Sequence, residues 1–265
     1  MTSNENPNHP VPKTHPRYES LKYRDKIIEG MKNLVVAEAG LIAHGRGECF
    51  DYILGEKTTQ SAKKAIDAAV AALLIAEKPV ISVNGNVAAL VPKELVTLSK
   101  VLNAPLEINL FYQKKGRIEA IKHILHEAGA TVIYGTDANK MVELEGLESN
   151  RRKVEIIGDA DVVMVPLEDG DRTEALKKLN KTVIAIDLNP LSRTALWADI
   201  TIVDNIVRTV PEMIIVANKL KKLKKERLNN IVKNFNNKQN IQNTLNLIIE
   251  YIEKQKEKAF EIIKF

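Results

Sequence analysis

Short, unbroken apolar runs alternate with helical segments through the middle of this chain, and this alternation constrains its fold more than any other feature. The run Thr182-Val183-Ile184-Ala185-Ile186 is typical, because it indicates a strand that helices cover on both faces. Such runs predict strands at residues 79–83, 106–111, 131–134, 161–166 and 182–186. Helices are predicted at residues 58–78, 88–102, 117–128, 172–179 and 206–225. Strands that alternate with helices form parallel sheets through right-handed crossovers. The sequence therefore predicts an α/β fold with a doubly wound, mostly parallel sheet and helices on both faces.

The two ends of the chain differ from this central pattern. Residues 1–16 are rich in Pro, Asn and His and are expected to form a flexible arm, and a helix is predicted at 18–33. Residues 17–225 are predicted to form one α/β domain, with an excursion and a short helix at 135–159. In the Asn/Lys-rich residues 226–265, Ile241, Leu245, Ile248 and Ile252 recur at helical spacing. This extension is predicted to pack as a helix on the body or on another subunit.

The net charge of +5 is concentrated at the C-terminal end of the chain. From Lys219 onward, 12 Lys and Arg residues face 5 Glu residues, so the preceding body is nearly neutral. A basic tail that binds nucleic acid is one interpretation, but charge runs are more often solvated faces, and no nucleic-acid partner is expected. No apolar run approaches the roughly 20 residues that cross a bilayer, and the N-terminus lacks a secretory signal. The sequence therefore predicts a cytoplasmic protein that is neither secreted nor associated with a membrane.

Polar clusters follow the predicted strands or lie in a Gly-rich segment that is predicted to form a loop. The carboxyl ends of parallel strands share one edge of a sheet, where open α/β proteins bind their ligands. The clusters predict a nucleotide crevice at that edge, and ordinary surface loops are the alternative. The clusters contain His44 and Arg46; Asn84 and Asn86; Glu168, Asp169, Asp171 and Arg172; and Asp187, Asn189, Arg193 and Thr194.

Each cluster allows more than one chemistry. Asp169 and Asp171 flank a glycine and could hold Mg²⁺, although a turn that caps the following helix explains the same residues. The arginines could grip phosphate or form surface ion pairs. His44 could move a proton or serve as a structural histidine, and the asparagine pair could orient a substrate or make the turn.

Several uncommon strings in this chain carry a family resemblance. They are THPRYESLKYRDKIIEG, AGLIAHGRGECFDYILGEKT, PVISVNGNVAALVP, VPLEDGDRTEAL and IAIDLNPLSRTALWADITIVDNIVR. The chain resembles the archaeal phosphopantothenate synthetase family, also called 4-phosphopantoate–β-alanine ligase, over residues 14 to about 218. The resemblance implies a Rossmann-like fold and a homodimer. It also implies condensation of 4-phosphopantoate with β-alanine, in which ATP yields AMP and diphosphate, on the route to coenzyme A.

The resemblance also implies roles for individual residues. Where the family often reads NLFYRT, this chain has NLFYQKK, so Gln113 cannot carry a phosphate contact made by arginine there, and Lys114 or Lys115 is the candidate substitute. Mg²⁺ is expected to accompany ATP, with no protein ligand assigned to it. The implied ATP contacts are Arg24, Arg46, Asp187, Leu188, Asn189, Arg193, Thr194, Asn205 and Ile206. Together with the residue chemistry, the catalytic candidates are His44, Arg46, Asp171 and Arg172, and the substrate contacts are Asn84, Asn86 and Asp169.

Two other classes of function compete with the ligase. An NAD(P)-dependent oxidoreductase would use the same kind of sheet, but the chain lacks a GxGxxG string. A noncatalytic nucleic-acid-binding protein would rely on the basic tail.

Overall fold

A computed structural model describes residues 11–110, 114–137, 139–143 and 153–258, and every structural statement below concerns these residues. The helices are α1 (Tyr18–Lys32), α2 (Glu38–Leu54), α3 (Gln60–Ile75), α4 (Gly85–Leu90), α5 (Pro92–Leu102), α6 (Arg117–Glu127), α7 (Gly170–Lys178), α8 (Arg193–Trp197), α9 (Ile206–Leu220), α10 (Lys225–Lys233) and α11 (Asn237–Lys258). The strands are β1 (Pro79–Val83), β2 (Leu106–Ile108), β3 (Ile133–Tyr134), β4 (Val142–Glu143), β5 (Lys153–Val154), β6 (Val162–Pro166), β7 (Thr182–Ile186) and β8 (Ile200–Ile202).

Six of the strands form one sheet in the order β3-β2-β1-β6-β7-β8, and all of its pairings are parallel. The chain runs outward from β1 to β3, returns to lay β6 beside β1, and then continues outward in the other direction. This order has the doubly wound pattern, so the predicted fold class is confirmed. In such sheets, ligands bind outside the carboxyl ends of the strands where the order reverses, which here is between β1 and β6.

Alternate residues of the strands build cores on the two faces of the sheet. Ile81, Met164 and Ile184 belong to the larger core, to which α3, α5 and α9 contribute. Val163 and Val183, which are register partners, point to the other face and pack with α7. Both faces of the central strands are therefore dry, which explains why these strands are apolar without interruption.

The structure corrects several predicted boundaries. The predicted strand at 106–111 ends at Ile108, and residues 111–113 lie outside the described part of the chain. The predicted helix at 88–102 is two helices, because the chain turns at Val91 and Pro92 begins a new helix. The predicted helix at 206–225 ends at Leu220. Among the described residues of the excursion are the antiparallel pair β4-β5 and a short 3-10 helix, Ile157–Asp159, which lies where a short helix is predicted.

The prediction of a Gly-rich loop around His44 is wrong, because residues 38–54 form the continuous helix α2. The helix ends at Gly55, whose φ of 79° is the left-handed conformation that terminates many helices. Gly40 allows α2 to approach α4 closely, since a Cβ atom there would lie 2.4 Å from Asn86 Oδ1. Packing against the rest of the protein thus offsets the poor helix propensity of the glycines.

The C-terminal extension packs on the body, as one of the two predicted arrangements requires. Helix α10 packs against α3, and α11 packs against α2, α3 and β8. Ile241 and Ile248 of α11 are buried, whereas Ile252 remains 47% exposed. Residues 1–10 of the predicted arm lie outside the described residues. Within the described ranges, every helix is too short or too polar to cross a bilayer.

Candidate functional site

A cavity of about 730 Å³ lies at the carboxyl edge of the sheet, and helix α2 forms much of its wall. Asn86 Nδ2, at the start of α4, donates to the carbonyl of Gly40 in α2 over 2.9 Å. At the other end of α2, Asp51 Oδ2 accepts from Asn205 Nδ2 over 2.8 Å. Helix α2 is thus fastened to the exits of β1 and β8, and its side chains His44 and Arg46 line the space between.

Eight of the predicted site residues share this wall, so the structure brings together segments that are far apart in sequence. From the first half of the chain come His44, Arg46, Asn84 and Asn86. From the second half come Asp169, Leu188, Asn205 and Ile206. The other predicted residues lie behind the wall or on the outer surface.

Asn84 joins the two strands at which the strand order reverses. Its Oδ1 accepts from the N–H of Val87 and caps α4, while its Nδ2 donates to the carbonyls of Pro166 and Leu167, each over 3.0 Å. The turn, one of the two alternatives for this residue, is therefore present. Its amide also fixes the chain as it leaves β6.

The exit of β6 carries buried charges. Asp169 Oδ1 accepts from the N–H of Arg172 and caps α7, which confirms the capping alternative for this carboxylate. The side chain of Arg172 is only 2% exposed, and its Nη1 donates to Asn109 Oδ1 over 3.0 Å. Its Nε lies 3.4 Å from Oε2 of Glu168, whose side chain is 6% exposed and lines the cavity. Burial raises the pKa of Glu168 to about 7, against the opposing effect of the Arg172 charge.

The polar side chains that follow β7 mainly form hydrogen bonds within the turn that they belong to. Asp187 Oδ1 accepts from the N–H of Asn189, and Oδ2 accepts from the hydroxyl of Ser192, which caps α8. Burial raises the pKa of Asp187, although these hydrogen bonds and the charge of Arg46 oppose the shift. Asn189 Oδ1 accepts from the N–H of Leu191, and the Thr194 hydroxyl donates to the carbonyl of Glu168.

The arginines predicted to bind phosphate have three different environments. Arg46 is exposed on the cavity wall. Arg24 donates to Glu48 over 2.5 Å, and Glu48 itself lines the cavity. Burial raises the pKa of Glu48, but the hydrogen bond and charge of Arg24, together with the Tyr52 hydroxyl and the Arg17 charge, hold that pKa below its usual value. Arg193 is 58% exposed and pairs on the surface with Asp171 over 2.7 Å and with Glu174 over 2.6 Å.

His44 is half-buried, and burial lowers its pKa, with the Arg24 charge lowering it further and Glu48 opposing the shift. A neutral imidazole is therefore the form that faces the cavity near neutral pH.

Sequence reasoning missed several wall residues. Arg208 Nη2 lies 2.6 Å from Asp51 Oδ1 and 2.6 Å from Asp204 Oδ1, and this ion-pair network holds the start of α9 against α2. Asp204 lies just before α9 and four residues from Arg208, so this pair could be predicted from sequence, but Asp51 is 157 residues from Arg208. Buried Arg117 also lines the cavity and donates to the carbonyl of Val35.

The described residues contain no group of three His, Cys, Asp or Glu side chains that could hold a metal ion. Lys114 and Lys115, the suggested substitutes for an arginine at Gln113, are exposed and do not line the cavity. Gln113 itself is outside the described residues.

Comparison with known proteins identifies the family. A model of the phosphopantothenate/pantothenate synthetase family matches residues 61–251, which is most of the chain. The chain belongs to this family. Three curated relatives carry the name 4-phosphopantoate–β-alanine ligase. The one from Thermococcus kodakarensis is 55% identical over 89% of this chain and 90% of its own length. The one from Thermococcus onnurineus is 54% identical over the same shares. The one from Methanosarcina mazei is 48% identical over 91% of this chain and 95% of its own length.

The synthetase match confirms the family expected from the sequence strings, and it extends further towards the C-terminus. The family model reaches residue 251, so it includes α10 and most of α11.

Proposed function

We propose that this chain condenses 4-phosphopantoate with β-alanine in an ATP-dependent reaction that releases 4'-phosphopantothenate, AMP and diphosphate. The observation that carries the proposal is the identity of 48–55% to relatives named 4-phosphopantoate–β-alanine ligase, over most of each chain. The cavity supports it, because its volume suits substrates of this size and it lies where the strand order reverses.

The chemistry requires two steps. A carboxylate is a poor electrophile, so the carboxylate of 4-phosphopantoate attacks the α-phosphate of ATP and expels diphosphate, which gives an acyl-adenylate. The amine of β-alanine then attacks the acyl carbon, an amide bond forms, and AMP leaves with the electron pair of the broken carbon–oxygen bond. Both steps place polyanions close together, so positive groups must stabilise the charge that develops on the leaving phosphates.

Arg46 and the start of α9 are the wall features best suited to those phosphates. An exposed guanidinium can meet phosphate oxygens in a bidentate manner, and a helix N-terminus presents free N–H groups to an anion. Asn205 and Ile206 begin α9 and line the cavity. Leu188 supplies an apolar contact for the nucleoside.

The remaining predicted residues are assigned to the adenosine, the phosphates and the other two substrates. Asp187 and Asn189 are assigned to the adenosine, with Thr194 beside them. Arg24 and Arg193 are assigned to phosphates, for which each must exchange its present carboxylate partner for the ligand. His44, Asn84, Asn86 and Asp169 face the acid and amine substrates, and Asp171 and Arg172 support that side.

Mg²⁺ is assigned to the phosphates of ATP, where it would neutralise charge on the departing diphosphate. Because Mg²⁺ keeps several waters and needs one or two protein carboxylates at most, the absence of a three-residue cluster among the described residues is compatible with this role. The resemblance also supports a homodimer, and we propose a cytoplasmic location.

The decisive experiment incubates the protein with 4-phosphopantoate, β-alanine and Mg-ATP and measures both the amide product and the nucleotide product. We expect 4'-phosphopantothenate and AMP in equal amounts, with neither formed when one substrate is omitted. Accumulation of ADP would replace the adenylate with an acyl-phosphate. Failure to form the amide would reject the ligase, and a fluorescence titration with NAD(P) would then test the oxidoreductase alternative.

A further inference from the structure

Two neighbouring carboxylates on the cavity wall each keep one oxygen without a hydrogen bond. Glu168 Oε2 and Asp169 Oδ2 are both buried, and neither accepts a hydrogen bond from any residue that the structure describes. Both residues line the cavity. Arg172 Nε, which also lacks a hydrogen bond, lies 3.4 Å from Glu168 Oε2 as an ion-pair partner. Because buried polar atoms are nearly always hydrogen-bonded in native proteins, the two carboxylate oxygens can still accept from a donor on a ligand.

Glu168 is fixed in position by the surrounding backbone. Its Oε1 accepts from the N–H of Asp169, and its carbonyl accepts from the hydroxyl of Thr194 over 2.9 Å. The preceding residue, Leu167, has a φ of 52°, a conformation that non-glycine residues rarely adopt, and Asn84 holds its carbonyl. The Glu168 carboxylate is thus pre-organised at the point between β1 and β6 where the strand order reverses.

We propose that Glu168, with Asp169 beside it, binds the ammonium group of β-alanine and that Glu168 is the base that removes its proton. This inference rests on the proposed function and assigns a residue to its second step. An ammonium has three N–H donors and no acceptor, which matches two acceptor oxygens side by side. As the amine nitrogen forms its bond to the acyl carbon, one of its protons moves to Glu168 Oε2. The electron pair of the carbon–oxygen bond leaves with AMP.

Mg²⁺ is a less suitable occupant of the same position. The guanidinium of Arg172 lies 3.4 Å from Glu168 Oε2 and repels a divalent cation more strongly than a monovalent ammonium. Mg²⁺ also demands octahedral oxygen coordination, which a largely buried pair of carboxylates beside an arginine does not provide.

The acid–base properties of the site agree with this role. Arg172 of α7 and Asp169 are the charged groups that face Glu168, while β1-α4 and α8 present Asn84 and Thr194, which do not titrate. A base with a pKa of about 7 is well matched to proton transfer at neutral pH. Because this pKa is raised, the ionised form that accepts the proton is present above about pH 7 and is lost as the pH falls below it.

The test separates the two steps in Glu168→Gln. Exchange of labelled diphosphate into ATP, with 4-phosphopantoate but no β-alanine, reports formation of the adenylate. Hydroxylamine, which is already neutral at pH 7, reports capture of the adenylate without a base. We expect amide formation from β-alanine to fall by about 100- to 10,000-fold in this variant, while isotope exchange and hydroxylamine capture stay within about 3-fold of the unmodified protein.

Glu127→Gln is the matched control, because Glu127 is exposed on α6 away from the cavity, and all three rates should be unchanged in it. The proposal is overturned if Glu168→Gln still couples β-alanine within about 3-fold of the unmodified protein. It is also overturned if exchange and hydroxylamine capture collapse to the same extent as coupling, since that result would assign Glu168 to Mg-ATP or to the fold.

A measurement on the unmodified protein covers the case in which Glu168→Gln does not fold. In the unmodified protein, kcat/KM for β-alanine should fall by up to about tenfold per pH unit below about pH 7. The ratio of the β-alanine rate to the hydroxylamine rate should fall over the same pH range. A constant ratio would overturn the proposal. If the unmodified protein shows neither exchange nor amide formation, the proposed function fails, whereas an active protein with a fully active Glu168→Gln variant contradicts only this inference.

Discussion

Arg46 shows how a single residue can be free for a ligand when similar residues are not. Among the arginines predicted to contact phosphate, Arg24 and Arg193 are held by carboxylates, and Arg46 lines the cavity without an ion pair to any described residue. A guanidinium that is already exposed gives up no protein partner when it binds an anion. The same reasoning places Arg172 in a supporting role, since its side chain is buried behind Glu168 and bonded to Asn109.

Replacement of Arg46 by Ala should therefore weaken catalysis without weakening the fold. A lost charge-assisted contact costs about 1.5–3 kcal/mol, so kcat/KM for ATP should fall by about 10- to 150-fold, while the melting temperature stays unchanged. Steady-state kinetics and thermal unfolding of Arg46→Ala check both parts. Arg227→Ala is the control, because this arginine is exposed on α10 and does not line the cavity. A decrease of less than about 3-fold in Arg46→Ala would refute the phosphate assignment.

At the scale of elements, the position of α2 decides the shape of the cavity. The glycines of this helix differ in their surroundings: Gly40 faces α4 closely, whereas nothing lies within 4 Å of a Cβ atom built on Gly45. Close packing at Gly40 brings the Asn86 amide onto the α2 backbone and sets the distance between α2 and the strand ends.

The pair Gly40→Ala and Gly45→Ala separates helix propensity from packing. At Gly45, alanine should stabilise the helix by about 0.5–1 kcal/mol. At Gly40, the added Cβ would lie 2.4 Å from Asn86 Oδ1 and 2.7 Å from Val36 Cγ1, so α2 must shift. We expect Gly40→Ala to lower the free energy of unfolding by about 1–3 kcal/mol, as overpacked sites do, and to raise KM for ATP. Urea unfolding and kinetics measure both effects, and a stabilised Gly40→Ala would show that α2 is free to move.

The same elements show what sequence can and cannot predict. The apolar run at 182–186 predicts a strand with the observed bounds, because a strand covered on both faces must be apolar throughout. The gathering of polar clusters at one edge followed from the parallel order. The glycines of α2 predict a loop because glycines disfavour helices locally, whereas the contacts that offset this effect are made with Asn86 of α4 and Asn205 at the start of α9, which are distant in sequence. Glu168 lies in a predicted polar cluster with Arg172, but the sequence assigns it no role, because the burial of its free oxygen is a property of the folded chain alone.

At the scale of the whole molecule, the C-terminal helix α11 packs behind the cavity wall and along the edge of the sheet. Asn237 Oδ1 accepts from the N–H of Thr201, and Asn240 Nδ2 donates to the Thr201 carbonyl, so α11 covers the edge strand β8. Covering an edge strand also protects it from pairing with other chains. Further along α11, Ile248 packs in a cluster with Leu54 of α2 and Leu188 of the β7 exit. The extension therefore supports both the sheet edge and the wall of the cavity.

Neighbouring isoleucines of α11 test this support. Ile248 is 7% exposed, whereas Ile249, the next residue of the helix, is 59% exposed. Ile248→Ala leaves a cavity beneath Leu188 and should lower the free energy of unfolding by about 2–4 kcal/mol. Ile249→Ala should change it by less than about 0.5 kcal/mol. Because Leu188 and residues of α2 line the part of the cavity that is proposed to hold ATP, Ile248→Ala should also raise KM for ATP, even though Ile248 itself does not line the cavity. Equal effects of the two substitutions on stability and KM would mean that α11 covers the body without supporting the site.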